Sequence, residues 1–466
     1  MTAYEDFIAA KAAFSVFNGI QVDSFHAPAF PHQKDITRWA LRKGRSAIFA
    51  DTGLGKSLMA LMWAHEVAKH GRVLLLTPLA VAQQFVREGE KFGIPCRYLR
   101  GDDGLPGIVV TNYEMLEKFD ASAFVGVIID ESSILKAFDG RTRTLIIDTF
   151  RETPYRLACT ATPAPNDYTE LGNHSEFLGI KTRTEMLAEY FVHDGDTTQE
   201  WRLKGHAQTA FWKWVASWAA IIQKPSDLGH DDGAYALPPL RVHEHVVPVD
   251  IADAHKAGQL FAVETRTLSD QRANRRATMG SRVDKAVQIV TAEDLPAVVW
   301  CELNAEGDAA EDAIPGAIQV AGSDSLESKI EKLAAFGDKR VKVMVSKAEI
   351  AGFGLNWQHC SRMIFLGASH SFEKTYQAIR RCWRFGQTKP VDVHFIRAEN
   401  EGAIMANYRR KEADAAKMAA EMREHSRESV RSEILGATTR EWNEYNPQVD
   451  MKTPDWLVSE VQETQA

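Results

Sequence analysis

Short apolar runs alternate with longer mixed segments along most of the chain. The first series lies at residues 46–50, 72–78, 107–112 and 125–130, with the sequences SAIFA, RVLLLTP, GIVVTN and VGVIID. Each run is β-branched or leucine-rich and is followed by a turn or polar segment. Strands that are buried on both faces and separated by helices give this pattern. A parallel α/β sheet is therefore predicted between about residues 25 and 180.

A second alternation begins near residue 295 and predicts a second lobe of the same class. Its apolar runs lie at residues 297–300, 317–322, 341–346, 362–367 and 391–396. The segment between the two series carries the aromatic run FWKWVASWAAII and then turn-rich and helical sequence. The predicted divisions are a lead-in (1–24), a first lobe (25–180), a helical and aromatic connection (181–294), a second lobe (295–400), and a C-terminal helix with a tail (401–466).

Composition narrows the class of protein. A chain of 466 residues is longer than one hydrophobic core usually serves, which agrees with two lobes. No apolar run reaches the ~18 residues of a membrane span, and the N-terminus lacks the pattern of a secretory signal, so a cytoplasmic protein is expected. The five cysteines form no CxxC pair, which argues against a disulfide framework or a structural zinc site. The net charge of -8 excludes a wholly basic protein but leaves room for local basic patches.

The segment ADTGLGKS at residues 50–57 has the setting of a phosphate-binding loop. It follows a predicted strand and precedes a predicted helix, so backbone N–H groups and the helix N-terminus can face phosphate oxygens. Lys56 would reach the β- and γ-phosphates, and the Ser57 hydroxyl would bind magnesium. The predicted nucleotide-binding residues of this loop are Thr52, Gly53, Gly55, Lys56 and Ser57.

Two acidic residues end the strand VGVIIDES at residues 125–132. They place Asp130 and Glu131 at the carboxyl edge of the predicted sheet, where ligands bind in open α/β folds. Asp130 is predicted to hold magnesium. Glu131 is predicted to position and polarise the attacking water.

Six segments, taken in order, resemble the motifs of helicase superfamily two, and most closely its Swi/Snf-like branch in a compact bacterial or phage form. They are FPHQ (30–33), LTPLAVAQQFVREGEKF (76–92), VVTNYEML (109–116), LACTATPAPND (157–167), AGFGLNWQ (351–358) and QAIRRCWRFGQ (377–387). The resemblance implies two RecA-like lobes that bind ATP with Mg²⁺ in the cleft between them.

The resemblance also assigns roles outside the phosphate loop. Gln33 would read adenine, and Gln377 would join the nucleotide site from the second lobe. Arg381 and Arg384 match the family's two arginines, which stabilise the charge on the γ-phosphoryl group from across the cleft. Their spacing of three places them on one face of a helix.

Further roles concern movement of the protein along nucleic acid and contact with that nucleic acid. The resemblance assigns Thr160 and Thr162 to the coupling of hydrolysis to movement. Candidate contacts to nucleic acid lie at strand ends, namely Thr77, Asn112, Tyr113, Gly354 and Asn356.

The chain departs from the family at two points. Ser133 stands where the family tetrad usually has a histidine that couples the site to the opposite lobe. Ile379 and Arg380 replace the acidic residues expected near the arginine motif.

Three functions are compatible with these features. The leading hypothesis is a DNA-stimulated ATPase that translocates on duplex DNA. The alternatives are a strand-separating DNA or RNA helicase, and a nucleic-acid-binding subunit of weak ATPase activity that serves a nuclease or methyltransferase. A monomer that binds nucleic acid and no membrane is expected.

Overall fold

The computed structural model describes residues 19–136, 140–164, 167–193, 201–248, 274–351, 356–367 and 372–435. Its first half contains helices α1 (Pro31–Lys43), α2 (Lys56–Val67), α3 (Leu79–Lys91), α4 (Arg141–Thr149), α5 (Leu171–Leu178), α6 (Arg183–Tyr190) and α7 (Gln208–Trp218). Its strands there are β1 (Arg45–Ala50), β2 (Arg72–Thr77), β3 (Cys96–Tyr98), β4 (Ile108–Asn112), β5 (Phe124–Asp130), β6 (Tyr155–Thr160), β7 (Phe191–His193), β8 (Trp201–Leu203) and β9 (Ala219–Ile222).

The second half has the same mixture of elements. Its strands are β10 (Leu240–Val247), β11 (Ala297–Cys301), β12 (Ala317–Val320), β13 (Val343–Lys347), β14 (Arg362–Phe365) and β15 (Val391–Ala398). Its helices are α8 (Met279–Thr291), α9 (Asn304–Ala313), α10 (Leu326–Gly337), α11 (Ala348–Ala351), α12 (Phe372–Ile379) and α13 (Gly402–Leu435).

The first lobe is built on a seven-stranded parallel sheet in the order β3-β4-β2-β5-β6-β1-β9. Strands β2, β4 and β5 are almost wholly buried, because helices cover both faces of the sheet. The phosphate loop follows β1 and the acidic pair ends β5, so both open onto the carboxyl edge. The predicted parallel α/β fold is confirmed.

The first lobe reaches beyond its predicted boundary at residue 180. Strand β9, at residues 219–222, pairs with β1 and forms one edge of the sheet. The helix α7 before it packs with the same lobe, and Phe211, Trp212 and Trp218 are fully buried. The aromatic run is therefore core packing, because its large side chains exclude water from the sheet face that α5 and α6 also cover.

The second lobe is a six-stranded parallel sheet in the order β10-β15-β14-β11-β13-β12. Strand β10 pairs with β15 along its full length, from Leu240 opposite Val391 to Val247 opposite Ala398. The predicted connection at 181–294 therefore contributes a strand to each lobe, β9 to the first and β10 to the second.

Helix α13 spans 34 residues and joins both lobes. Near its start, Met405 and Tyr408 pack in the second-lobe core. Near its end, Val430 and Ile434 pack in the first-lobe core, where Met422 fills another cluster. The C-terminal helix predicted from sequence thus returns to the first lobe.

Among the described residues, no helix has the length and apolar character needed to cross a membrane. All five cysteines are free thiols and buried.

Candidate active site in the cleft between two lobes

The phosphate loop makes a tight turn between β1 and α2. Gly53 and Gly55 have φ angles of +96° and +83°, a region that disfavours side chains. A Cβ on Gly55 would lie 2.2 Å from Nε2 of Gln33. Glycine is therefore required both for the turn and for the close approach of Gln33.

Lys56 begins α2 and turns back into the loop. Its Nζ donates to the backbone oxygen of Ala50 at 2.7 Å and to that of Asp51 at 3.4 Å. Burial lowers the pKa of Lys56, while the carboxylates of Glu131, Asp51 and Asp130 oppose that effect. The lysine and the predicted catalytic acids therefore share one electrostatic environment.

Asp130 ends β5 and accepts a hydrogen bond from the Thr77 hydroxyl at 2.9 Å. Burial and the neighbouring Glu131 raise the pKa of Asp130 from 3.8 to about 7, against the lowering effects of Thr77 and Lys56. The ionised carboxylate is thus held at a free-energy cost that a bound cation would relieve.

Glu131 has a left-handed backbone with φ 58°. Such a conformation is strained for a residue with a side chain and is often found at functional sites. Its Oε1 accepts hydrogen bonds from the hydroxyl of Thr160 at 2.8 Å, from that of Ser133 at 3.1 Å, and from Nε2 of Gln377 at 3.5 Å. Gln377 belongs to the second lobe, so this carboxylate is a point of contact between the lobes.

The two predicted coupling residues lie beside Glu131. The Thr160 hydroxyl donates to Glu131 and also accepts from the backbone N–H of Thr162 at 3.1 Å. Within the described part of the chain, the buried Thr162 hydroxyl has no hydrogen-bond partner. The structure therefore brings Thr160 into contact with the predicted water-positioning acid and places Thr162 next to Thr160.

Both predicted arginines lie in the turn that follows α12 and are close to the first lobe. Arg381 donates from Nε to the backbone oxygen of Gln377 at 3.1 Å. Burial and Arg384 lower the pKa of Arg381, while Glu131 and Asp130 act in the opposite direction. Burial also lowers the pKa of Arg384, against the effect of Glu88. The buried arginine charges therefore face acidic groups of the opposite lobe.

A neighbouring arginine makes a direct bridge to the phosphate loop. Arg380 pairs with Oδ2 of Asp51 at 2.9 Å and donates to the backbone oxygen of Thr52 at 2.7 Å. The Tyr376 hydroxyl donates to the other oxygen of Asp51 at 3.0 Å. This contact involves one of the positions at which the sequence departs from the family.

Gln33 and a group of aromatic rings lie on the other side of the phosphate loop. Gln33 donates to the backbone oxygen of Leu54 at 3.0 Å and accepts from the backbone N–H of Phe30 at 3.0 Å. The ring of Tyr235 is 4.6 Å from that of Phe385 and 5.5 Å from that of Phe30. These rings form an apolar wall beside the predicted adenine reader.

The candidate nucleic-acid contacts are only partly accessible. Thr77 is fully buried with its hydroxyl on Asp130, and Asn112 is 3% exposed with its oxygen accepting from the Tyr98 hydroxyl. Neither side chain is open to a phosphate backbone, so these two assignments are corrected: both side chains are buried and hydrogen-bonded within the first lobe, Thr77 to Asp130 and Asn112 to Tyr98. Asn356 is exposed, and Gly354 lies outside the described residues.

Tyr113 is partly buried beside the acidic pair. Its hydroxyl donates to the backbone oxygen of Asp130. Burial raises the pKa of Tyr113 well above its ordinary value. Tyr113 thus supports the strand end that carries the acids.

No histidine occupies the fourth tetrad position, and a different group makes the contact between lobes. Ser133 donates to Glu131, and Gln377 reaches the same carboxylate directly from the second lobe. His174 lies nearby but is fully buried, with Nε2 3.1 Å from the Ser132 hydroxyl. His174 is packed within the first lobe and does not face the second.

The cavity between the lobes has a volume of about 960 Å³, and its lining includes Glu131, Ser133 and Gln377 but no residue of the phosphate loop. The glycine turn, the lysine and two carboxylates fit a nucleotide phosphate group with Mg²⁺. Among the described residues, no group of three or more His, Cys, Asp and Glu side chains is arranged to hold a metal ion. The predicted magnesium ligands, Ser57 and Asp130, would act together with phosphate oxygens, which is the usual mode of magnesium with nucleotides.

Comparisons with known proteins give distant similarities. No protein-family model matches the chain. It is 22% identical over 415 residues to the DNA annealing helicase and endonuclease ZRANB3 of Mus musculus, covering 80% of this chain and 39% of that protein. A SWI2/SNF2 ATPase core from Sulfolobus solfataricus, solved in complex with dsDNA, matches with 16% identity and a TM-score of 0.41, covering 89% of this chain and 99% of that one. The chain spans about two fifths of the length of the mouse relative.

The sequence analysis assigned no role to several residues of this candidate site. Tyr376, Arg380, Tyr235 and Phe385 lie beside the phosphate loop, yet none was assigned a role. Arg380 and Phe385 were within the recognised arginine motif, so the motif was a usable signal for them. Tyr235 carried no signal, because it stands in a turn-rich stretch whose position depends on the packing of both lobes.

Proposed function

We propose that the chain is a DNA-stimulated ATPase that translocates on duplex DNA by coupling ATP hydrolysis to closure of the two lobes. The contact of Gln377 with Glu131 carries this proposal, because it joins a second-lobe residue to the acid that positions water. Arg381 and Arg384 stand in the same segment. Hydrolysis and lobe closure therefore depend on one set of contacts.

Each residue has a distinct chemical role. Lys56 and the N–H groups at the start of α2 bind phosphate oxygens. Glu131 orients the attacking water and accepts its proton, and its three hydrogen bonds fix the carboxylate in place. Arg381 and Arg384 stabilise the charge that develops on the transferred phosphoryl group, an effect worth on the order of 10³–10⁵ in rate for such arginines.

Ser57 and Asp130 are the residues that would hold Mg²⁺. The cation would neutralise charge shared by the β- and γ-phosphate oxygens. The raised pKa of Asp130 fits this role, because a carboxylate that is costly to ionise alone gains most from a cation.

DNA is proposed as the track because the mouse relative is described as a DNA annealing helicase. A grip on phosphates carries little sequence information, so no sequence preference is expected. The exposed Asn356, in the glycine-rich motif at the cleft, is a candidate contact. DNA binding should weaken steeply with salt.

The test compares ATPase rates with duplex DNA, single-stranded DNA and RNA, followed by strand-displacement assays. We expect duplex DNA to stimulate hydrolysis most, and ATP to drive displacement of a triplex-forming strand with little separation of a forked duplex. Glu131→Gln is the matched control, because glutamine has the same shape as glutamate but lacks the carboxylate charge. Fork unwinding without triplex displacement would favour a strand-separating helicase instead.

A second candidate is a nucleic-acid-binding subunit of weak ATPase activity that serves a nuclease or methyltransferase. The observation in its favour is Ser133 in place of the tetrad histidine. DNA binding without measurable stimulation of hydrolysis would support this candidate and contradict the translocase.

A further inference from the structure

The bridge from Arg380 to the phosphate loop combines three contacts in a small volume. One guanidinium nitrogen, Nη2, pairs with the Asp51 carboxylate at 2.9 Å and donates to the Thr52 backbone oxygen at 2.7 Å. The Tyr376 hydroxyl holds the other carboxylate oxygen at 3.0 Å. Arg380 and Tyr376 are four residues apart on the second lobe, so they present one helical face to the loop.

The surroundings keep the Arg380 guanidinium in this position. Its side chain is only 4% exposed, against 25% for Asp51. The guanidinium lies over the rings of Trp383, at 5.1 Å, and Tyr376, at 5.8 Å. An arginine that is stacked and shielded from water forms a stronger and more directional ion pair than an exposed one.

The bridge is also adjacent to the arginines of the hydrolysis site. Arg381 follows Arg380 directly, and Arg384 lies in the same turn. A backbone hydrogen bond from Trp357 to the oxygen of Arg381, at 2.9 Å, anchors this turn to the rest of the second lobe. Any displacement of Arg380 from the phosphate loop therefore moves both catalytic arginines relative to the phosphates.

We propose that Arg380 is a positioning residue that, through its ion pair with Asp51, locks the arginine turn of the second lobe onto the phosphate loop. The proposal rests on the ATPase function proposed above and adds a residue to it. Asp51 and Arg380 form an interlobe lock that is made when the cleft closes and broken when it opens. Arg380 acts through Arg381 and Arg384 and does not itself bind phosphate.

The lock has a specific kinetic consequence. Misplacement of catalytic groups by about 1 Å can cost on the order of 100-fold in rate. Arg380→Gln should therefore lower kcat roughly 10- to 100-fold while the Kd for ATP changes by less than about 3-fold, because phosphate binding stays with Lys56 and the loop. Asp51→Asn should have the same effect, since it removes the charge but keeps the acceptor for Tyr376.

A double-mutant cycle tests whether the two residues act together. The double variant Asp51→Asn/Arg380→Gln should be no slower than either single variant, because each substitution breaks the same pair. Arg380→Lys, which keeps the charge, should recover part of kcat. Arg340→Gln is the matched control, because Arg340 is half-exposed on the same lobe and pairs there with Glu331.

A distance measurement separates failure of the lock from failure of the proposed function. Spin labels on cysteines introduced at exposed positions 118 and 312 report on the separation of the lobes, and the five native cysteines are all buried. We expect Arg380→Gln to broaden and lengthen this distance distribution without nucleotide, whether or not the wild type hydrolyses ATP. An unchanged distribution, additive losses of kcat, or a Kd for ATP that rises with kcat intact would each overturn the lock.

Discussion

Replacing Asp130 by asparagine should stabilise the nucleotide-free protein while abolishing its activity. The carboxyl ends a buried strand next to Glu131, and these surroundings raise its pKa from 3.8 to about 7. The carboxyl of Asp130 therefore binds its proton more tightly in the folded protein than in the unfolded chain. Between those two pKa values, the free energy of unfolding falls as pH rises.

The size of the effect follows from the pKa of the carboxyl. The two values differ by roughly three pH units, and each is worth about 1.4 kcal/mol, so ionisation at pH 8 costs about 4 kcal/mol of stability. At pH 5 less than half of that cost is present, because most of the ionisation of the folded-state carboxyl occurs near pH 7. Asparagine keeps an oxygen that can accept from the Thr77 hydroxyl and carries no charge.

Urea unfolding followed by tryptophan fluorescence, in EDTA at pH 5 and pH 8, measures this cost. The stability of Asp130→Asn minus that of the wild type should rise by about 2–3 kcal/mol between pH 5 and pH 8. The comparison across pH cancels any change in packing, because packing is the same at both values. A difference that does not grow with pH, or that shrinks, would refute the assignment of a strained buried carboxylate.

Three further predictions concern the nucleotide, the second lobe and the C-terminal helix. Lys56→Ala should weaken ATP binding and abolish turnover, while Glu131→Gln should bind ATP normally and lose turnover. Equilibrium binding and ATPase rates distinguish the two variants. Hydrolysis at the wild-type rate by Glu131→Gln would show that the role assigned to Glu131 is wrong. Arg381→Ala or Arg384→Ala should lower kcat by on the order of 10³-fold or more, because these groups act mainly on the transition state. The Kd for ATP should stay in the same range as that of the wild type, and a loss confined to ATP affinity would contradict this role. Met422→Ala should lower the free energy of unfolding by about 2–5 kcal/mol, because the Met422 side chain is only 5% exposed in the first-lobe core. Denaturant titration measures this loss, and an unchanged free energy of unfolding would show that helix α13 does not pack there.

The sequence by itself determined the fold class, and it predicted which residues form the candidate nucleotide site. Buried parallel strands require continuous apolar runs, so residues 46–50, 72–78 and 125–130 predicted β1, β2 and β5 from local sequence alone. The phosphate loop could also be predicted from local sequence, because its glycines, lysine and serine meet the requirements of a phosphate-binding turn within a few residues of chain. The acids at 130 and 131 were located by the end of the strand that carries them.

Long-range packing decided which strands pair, which side chains face inward and which residues meet between the lobes. Strand β9 is four residues of alanine and isoleucine, and nothing in so short a run specifies that it pairs with β1. The inward orientation of Thr77 depends on the neighbouring strand that carries Asp130, so a strand-end position could not reveal whether the side chain faced water or protein. The pairing of Arg380 with Asp51 joins residues 329 positions apart, and its existence depends on how the two lobes close. Local periodicity records which residues are buried, whereas the partners of those residues are set by the packing of the whole chain.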